Sequence, residues 1–189
     1  MRFETEFEAV VLAGGKSSRM GFPKGSLRVG DETLLERTVR ALLPLGPVTV
    51  LGPEAPTGAA LLEDAETHMG PASALSRFSP SRDWVFVASC DMPRFGAEVA
   101  KALGSLATDS DAVVPLTLGH RQPLCALYRS RAFEKLRESV SAGGRSMMAW
   151  LDRLDVREVE QDELRLMGID PLAIRGANTP EEVELELRG

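Results

Sequence analysis

Two short segments hold the residues whose type and spacing could do chemistry. The first is Leu12-Ala13-Gly14-Gly15-Lys16-Ser17-Ser18-Arg19-Met20-Gly21-Phe22-Pro23-Lys24-Gly25. Adjacent glycines let backbone amides approach phosphate oxygens and point at them. Lys16, Arg19 and Lys24 could then neutralise a triphosphate. Between residues 9 and 30 there are four cations (Lys16, Arg19, Lys24, Arg28) and no acid, in a chain whose net charge is −6. That contrast predicts a small polyanion bound locally. The competing reading is a solvated glycine-rich turn with incidental cations. Two familiar phosphate loops do not fit. A Walker A motif ending in Gly15-Lys16-Ser17 needs glycine at position 10, which is Val10, and G-x-G-x-x-G fails at Ser17.

The second segment is Cys90-Asp91-Met92-Pro93, directly after the apolar run Trp84 to Ala88. A single carboxylate at a strand end suits Mg²⁺, which takes one or two carboxylates and fills its shell with phosphate oxygens and water. The competing reading is that Asp91 caps a following helix. A third acid, Asp64, stands before Gly70-Pro71-Ala72; on its own it reads as a surface aspartate. His68 and His120 lie far apart, and no Ser-His-Asp or Cys-His arrangement is visible, so both are expected at the surface. Cys90 and Cys125 follow apolar segments and are expected to be buried, not reactive.

The positioning elements can be read from period and punctuation. Phe7 to Leu12 is a buried strand that ends at the glycine pair. Asp31 to Leu43 has a helical apolar pattern capped by Asp31 or Thr33, and Val48 to Leu51 is a second strand. Thr57 to Glu63 and Ala72 to Phe78 are expected to be short helices. Trp84 to Ala88 is the clearest central strand, followed by a helix from Gly96 to Leu106. Strands at Ala112 to Leu116 and Pro123 to Tyr128 flank a turn at Gly119-His120. Helices follow at Arg131 to Val140 and Ser146 to Leu154, then an edge strand at Val156 to Val159. Pro180 to Leu187 closes the chain as a helix, with Thr179 as N-cap and Glu182 at the capping-box position. Alternating strands and helices predict a three-layer α/β domain with a largely parallel sheet, spanning residues 1–189 as one unit. Both segments then fall at the carboxyl edge of the sheet, where open α/β sheets bind ligands.

Composition narrows the function classes. Aromatics are only 5% of 189 residues, too few for a stacking platform on single-stranded nucleic acid, and a global basic footprint is absent. No nucleic-acid partner is expected. Two cysteines make no disulfide framework. The first eight residues carry three glutamates and no secretory pattern, and no apolar run is long enough to span a membrane. A reducing, cytoplasmic setting is expected, with no membrane association.

The stretch LAGGKSSRMGFPKG resembles the signature of nucleotidyltransferases with a Rossmann-like, GT-A-like fold. LAGG in place of LAAG is most similar to the molybdenum cofactor guanylyltransferases. The resemblance runs on through Arg121-Gln122-Pro123-Leu124-Cys125-Ala126-Leu127-Tyr128, similar to the family's QPLxALY strand. It also takes in Gly143-Gly144-Arg145-Ser146 and Asn178-Thr179-Pro180-Glu181-Glu182. It implies transfer of GMP from GTP to molybdenum-bearing molybdopterin with Mg²⁺ as cofactor. Molybdoenzymes or their chaperones are the implied recipients of the product. It further implies Arg19, Lys24 and Asp91 as catalytic residues, with Asp91 holding the metal. Leu12, Ala13, Gly14, Gly15, Lys16, Lys24, Asp64 and Asp91 would contact the nucleotide, and Arg145 and Asn178 would lie on the acceptor side. Two departures stand out. Ala72-Ser73 replaces the usual Leu-Ala after Gly-Pro, and Leu51-Gly52-Pro53 stands where the family usually shows a polar residue that helps read guanine. A cytidylyltransferase for the same cofactor and a non-catalytic nucleotide-binding relative are the alternatives.

Overall fold

A computed structural model describes residues 6–14, 26–63, 70–177 and 179–188 of the chain. Its centre is an eight-stranded sheet. β1 (Phe7–Leu12) lies between β4 (Val48–Gly52) and β6 (Trp84–Ser89), and both pairings are parallel. β5 (Ala60–Glu63) extends the sheet beyond β4. On the other side, β9 (Cys125–Arg129) runs antiparallel to both β6 and β7 (Ala112–Thr117). β10 (Val156–Val159) closes that edge parallel to β7, and β8 (His120–Arg121) forms a hairpin with β7. A separate ribbon pairs β2 (Arg28–Val29) with β3 (Glu32–Thr33).

The sheet is buried on both faces, as its apolar strands require. Alternate residues of β1 show how. Ala9 and Val11 pack with α1 (Leu34–Leu42), α3 (Ala97–Ser105) and α6 (Gln161–Leu166) through Leu35, Val39, Val99, Leu103 and Leu164. Val10 and Leu12 pack on the opposite face with α2 (Pro71–Ser76), α4 (Ala132–Ser141) and α5 (Met147–Leu151) through Leu75, Phe133, Leu136 and Trp150. Each fully buried side chain of this size contributes about 1.5–3 kcal/mol. The Rossmann-like, three-layer α/β expectation is met, with β8 and β9 the antiparallel members of a largely parallel sheet.

Local chemistry explains the element ends. Thr33, not Asp31, caps α1: its Oγ1 accepts the Glu36 N–H at 3.1 Å, and Glu36 Oε2 accepts the Thr33 N–H at 2.7 Å. Such a capping box stabilises a helix by about 1 kcal/mol. Glu8, buried on β1, accepts the N–H groups of Ser81 and Arg82 and so holds the entry to β6 in register. The C-terminal helix α7 (Pro180–Arg188) begins where expected, with Thr179 Oγ1 accepting the Glu182 N–H at 3.1 Å.

One expectation is overturned. Residues 57–63 contain no helix; Ala60–Glu63 is the strand β5 instead. The run Ala-Ala-Leu-Leu-Glu has good helix formers, but the open edge of β4 offers it a complete backbone partner, and pairing overrides propensity. The segment expected as a helix from Ser146 to Leu154 is regular only over Met147–Leu151. Helix α6 was not foreseen, because Leu164 is its one buried side chain and the apolar period is too weak to see.

Candidate active site

The carboxyl ends of β1 and β6 bring the two chemical segments together. In the parallel register Leu12 stands opposite Ser89, and the Cys90 N–H donates to the Leu12 carbonyl at 3.2 Å. Asp91 therefore sits two residues beyond the ladder, beside the point where the glycine-rich segment leaves the sheet. Leu12 and Ala13 are buried and Gly14 is exposed. Two of their backbone groups already have partners. The Leu12 carbonyl takes Cys90, and the Ala13 N–H donates to the Leu51 carbonyl at 2.9 Å.

Asp91 is half-buried, and its carboxylate is oriented from two sides. The Ser89 hydroxyl donates to Oδ1 at 2.6 Å. The Gly176 backbone lies so close that a Cβ built there would stand 3.2 Å from the same oxygen. The Asp91 carbonyl accepts the Ala177 N–H at 2.7 Å, which fixes the C-terminal segment across the end of β6. The helix-cap reading of Asp91 is excluded. α3 starts at Ala97 with Gly96 as its N-cap and no side-chain capping bond.

A cavity of about 240 Å³ opens beside Asp91, on the side away from β1. Its walls include Ser89, Met92, Gln122, Pro123, Leu124 and Gly176. The reversed direction of β9 delivers Gln122 and Pro123 to this edge, because the strand begins where β6 ends. Tyr128, fully buried and stacked on Trp150 at 4.6 Å, donates its hydroxyl to the Pro123 carbonyl at 2.8 Å. Burial raises its pKa, so this donor stays protonated.

The Asp91 carboxylate, a hard oxygen ligand, suits a divalent cation that would take its other ligands from phosphate and water. Cys90 and Cys125 are both buried with no disulfide, and burial pushes the Cys125 thiol up, away from the thiolate form. Among the described residues no three His, Cys, Asp or Glu side chains stand together as a closed metal cage. A cation held by one protein carboxylate and substrate phosphates needs no such cage.

A model of the MobA-like NTP transferase domain matches residues 9–158, a range that includes the glycine-rich segment, Asp91 and the β7–β9 region. The chain belongs to the MobA-like NTP transferase domain family. A relative from Mycolicibacterium paratuberculosis, named "Probable molybdenum cofactor guanylyltransferase", is 32% identical over 86% of this chain and 89% of its own length. The "Molybdenum cofactor guanylyltransferase" of Desulfosudis oleivorans is 28% identical, covering 93% of this chain and 91% of the relative. The fold is similar to the crystal structure of molybdopterin-guanine dinucleotide biosynthesis protein A from Archaeoglobus fulgidus. The TM-score is 0.78 at 22% identity, over 95% of this chain and 96% of that one.

Within this MobA-like domain the expected site residues divide in two. Leu12, Ala13, Gly14 and Asp91 meet at one edge of the sheet. Arg145 is exposed on the loop before α5 and does not line the cavity. Gly15, Lys16, Arg19, Lys24, Asp64 and Asn178 lie outside the described residues. Ser89, Gln122 and Gly176 were missed as site residues. The stretch from Arg121 to Tyr128 held a signal for Gln122, since its likeness to the family's strand extends into the preceding turn. Ser89 and Gly176 carried none. His120 is exposed, as expected.

Proposed function

We propose that this chain transfers GMP from GTP to molybdenum-bearing molybdopterin. A terminal phosphate oxygen of the acceptor attacks the α-phosphorus of GTP. The bond from that phosphorus to the bridging oxygen breaks, and its electron pair leaves with pyrophosphate. The observation that carries this reading is the position of Asp91. It stands between the end of β1, where a nucleotide would lie, and the cavity on its far side, where an acceptor would lie. The guanylyltransferase names of the relatives support the same reading.

Asp91 would hold Mg²⁺, and Ser89 keeps its carboxylate aimed. Bound there, the cation supplies charge neutralisation on the triphosphate and a fixed geometry for it. Arg19 and Lys24 are assigned to the charge that builds on the departing pyrophosphate, and Gly15, Lys16 and Asp64 to the nucleotide. The acceptor phosphate is already ionised, so the chain needs no general base and positioning is its main task. A guanine edge would meet the Ala13 carbonyl or the Gly14 peptide, since the Leu12 carbonyl and Ala13 N–H are engaged within the sheet. Asn178 is assigned to the acceptor side, whereas Arg145, which does not line the cavity, is given no contact there. The cytoplasm, where cysteine thiols stay reduced, would be the compartment of the reaction, with molybdoenzymes or their chaperones as recipients of the product.

The deciding experiment supplies the chain with molybdenum-bearing molybdopterin, Mg²⁺ and either GTP or CTP, and follows pyrophosphate release. GTP should be favoured by at least about tenfold, or about 1.4 kcal/mol. A preference for CTP would make the protein a cytidylyltransferase, and no transfer from either would leave a nucleotide-binding relative.

A further inference from the structure

We infer that Gln122 is a specificity-determining residue for the acceptor, presenting its amide oxygen to an N–H donor on the acceptor's nitrogen heterocycle. The inference rests on the acceptor being a pterin, as proposed above.

The side-chain amide of Gln122 has its orientation fixed. Nε2 donates to the Thr117 hydroxyl and, at 3.2 Å, to the His120 carbonyl. A carbonyl can only accept, so nitrogen must face the hairpin. Nε2 has two hydrogens, and both are directed at the β7–β8 turn. No described residue donates to Oε1, which is left as the group Gln122 can offer to a molecule in the cavity it lines. The backbone is equally constrained. The Gln122 N–H donates to the Pro115 carbonyl at 2.9 Å, and its carbonyl accepts the Cys125 N–H at 3.1 Å. Tyr128 holds the adjoining Pro123 carbonyl from the core side.

A half-buried acceptor with a fixed direction is a discriminating device. A ligand with a matching donor gains a hydrogen bond without ordering the protein, whereas one lacking it forfeits that bond. Pterins carry ring and amino N–H donors in one plane, the geometry that an amide oxygen accepts. The Asp91 carboxylate stands in the same cavity wall, so a heterocycle held by Gln122 would have its phosphate within reach of the site of transfer. The contact lies across Asp91 from the nucleotide side and should leave GTP untouched.

The test uses the full chain with GTP and Mg²⁺. Gln122→Leu should raise the acceptor KM about tenfold and leave kcat and the KM for GTP unchanged. Without turnover, a phosphorylated pterin titrated through its own fluorescence should lose affinity by the same factor. Thr117→Val, which loosens the amide but keeps its oxygen, should weaken pterin binding about threefold. Equal pterin affinity in the wild type and a folded Gln122→Leu variant overturns the inference, as does a wild-type chain that binds no pterin. Should Gln122→Leu fail to fold, an unchanged affinity in Thr117→Val overturns it. Failure of the reaction itself looks different: no GMP reaches molybdopterin, while the pterin titrations still report on Gln122.

Discussion

Gly52 is packed against Ala13 so closely that a Cβ on Gly52 would lie 3.0 Å from the Ala13 Cβ and 3.3 Å from its carbonyl carbon. The missing side chain at the end of β4 is thus a packing requirement of the strand that launches the glycine-rich segment. Gly52→Val should displace Ala13 and weaken GTP binding about tenfold, with the fold retained. Calorimetric titration with GTP and Mg²⁺ checks this, and unaltered affinity would show that the segment absorbs the intrusion.

Asp91→Ala should lower kcat by orders of magnitude with little change in Tm, because the side chain is half-buried and the bond it accepts from the Ser89 hydroxyl is local. Single-turnover rates at saturating GTP and Mg²⁺ measure the effect. Near-normal rates would remove Asp91 from the metal site.

Leu118 has a φ of +51°, and Gly119, the other residue of this two-residue hairpin loop, has +74°. A left-handed leucine costs roughly 1–2 kcal/mol, and its side chain is 75% exposed, so packing returns little. Leu118→Asn creates the Asn-Gly pair that such turns favour. Thermal unfolding should show Tm raised by about 2–4 °C, on the scale of 1 kcal/mol in a chain of this size. A lowered Tm would mean that the leucine makes a compensating contact.

Asp111 lies at the start of β7, at the opposite edge of the sheet from Asp91. Burial raises its pKa, but Lys135 at 2.9 Å, Arg131 at 2.6 Å and the Asp155 N–H at 3.2 Å outweigh it and bring the value to about 2, from an ordinary 3.8. A depressed native pKa adds stability above the unfolded value and loses it as pH falls. Here the contribution is at most about 2 kcal/mol. It should be full above about pH 4 and fade towards pH 2. Asp111→Asn should therefore lower Tm at pH 7, with the gap to wild type closing over that acid range and transfer activity unchanged. A constant gap would mean that shape, not charge, is the cause.

The legible parts of this molecule are those where one local pattern decides. Phe7 to Leu12 read correctly because its apolar, β-branched end, Ala9 to Leu12, runs into a glycine pair and fits a doubly covered strand. Thr179 read correctly because its oxygen acts within its own helix. Residues 60–63 misread because the partner that makes them a strand is the distant edge of β4. Asp91 was legible as a lone acid at a strand end. Gln122 was hinted at only by the family likeness of residues 121–128; its place beside the cavity depends on β9 running against β6, and strand direction leaves no mark in a five-residue segment.

The sheet order has a consequence for how the chain folds. β9 lies between β6 and β7, which precede it in the chain and cannot pair directly with each other. Without β9, β7 and β10 would form an island cut off from the strand that leads to Asp91. Insertion of β9 joins the halves, and the same event brings Gln122 and Pro123 to the end of β6. The β9–β6 pairing joins segments far apart in the chain, and such non-local pairing is slow relative to hairpin formation. Nascent chains that have made only the first six strands would possess the β1 edge and Asp91 without the cavity beside them. Competence to take an acceptor would arise only as the last gap in the sheet closes.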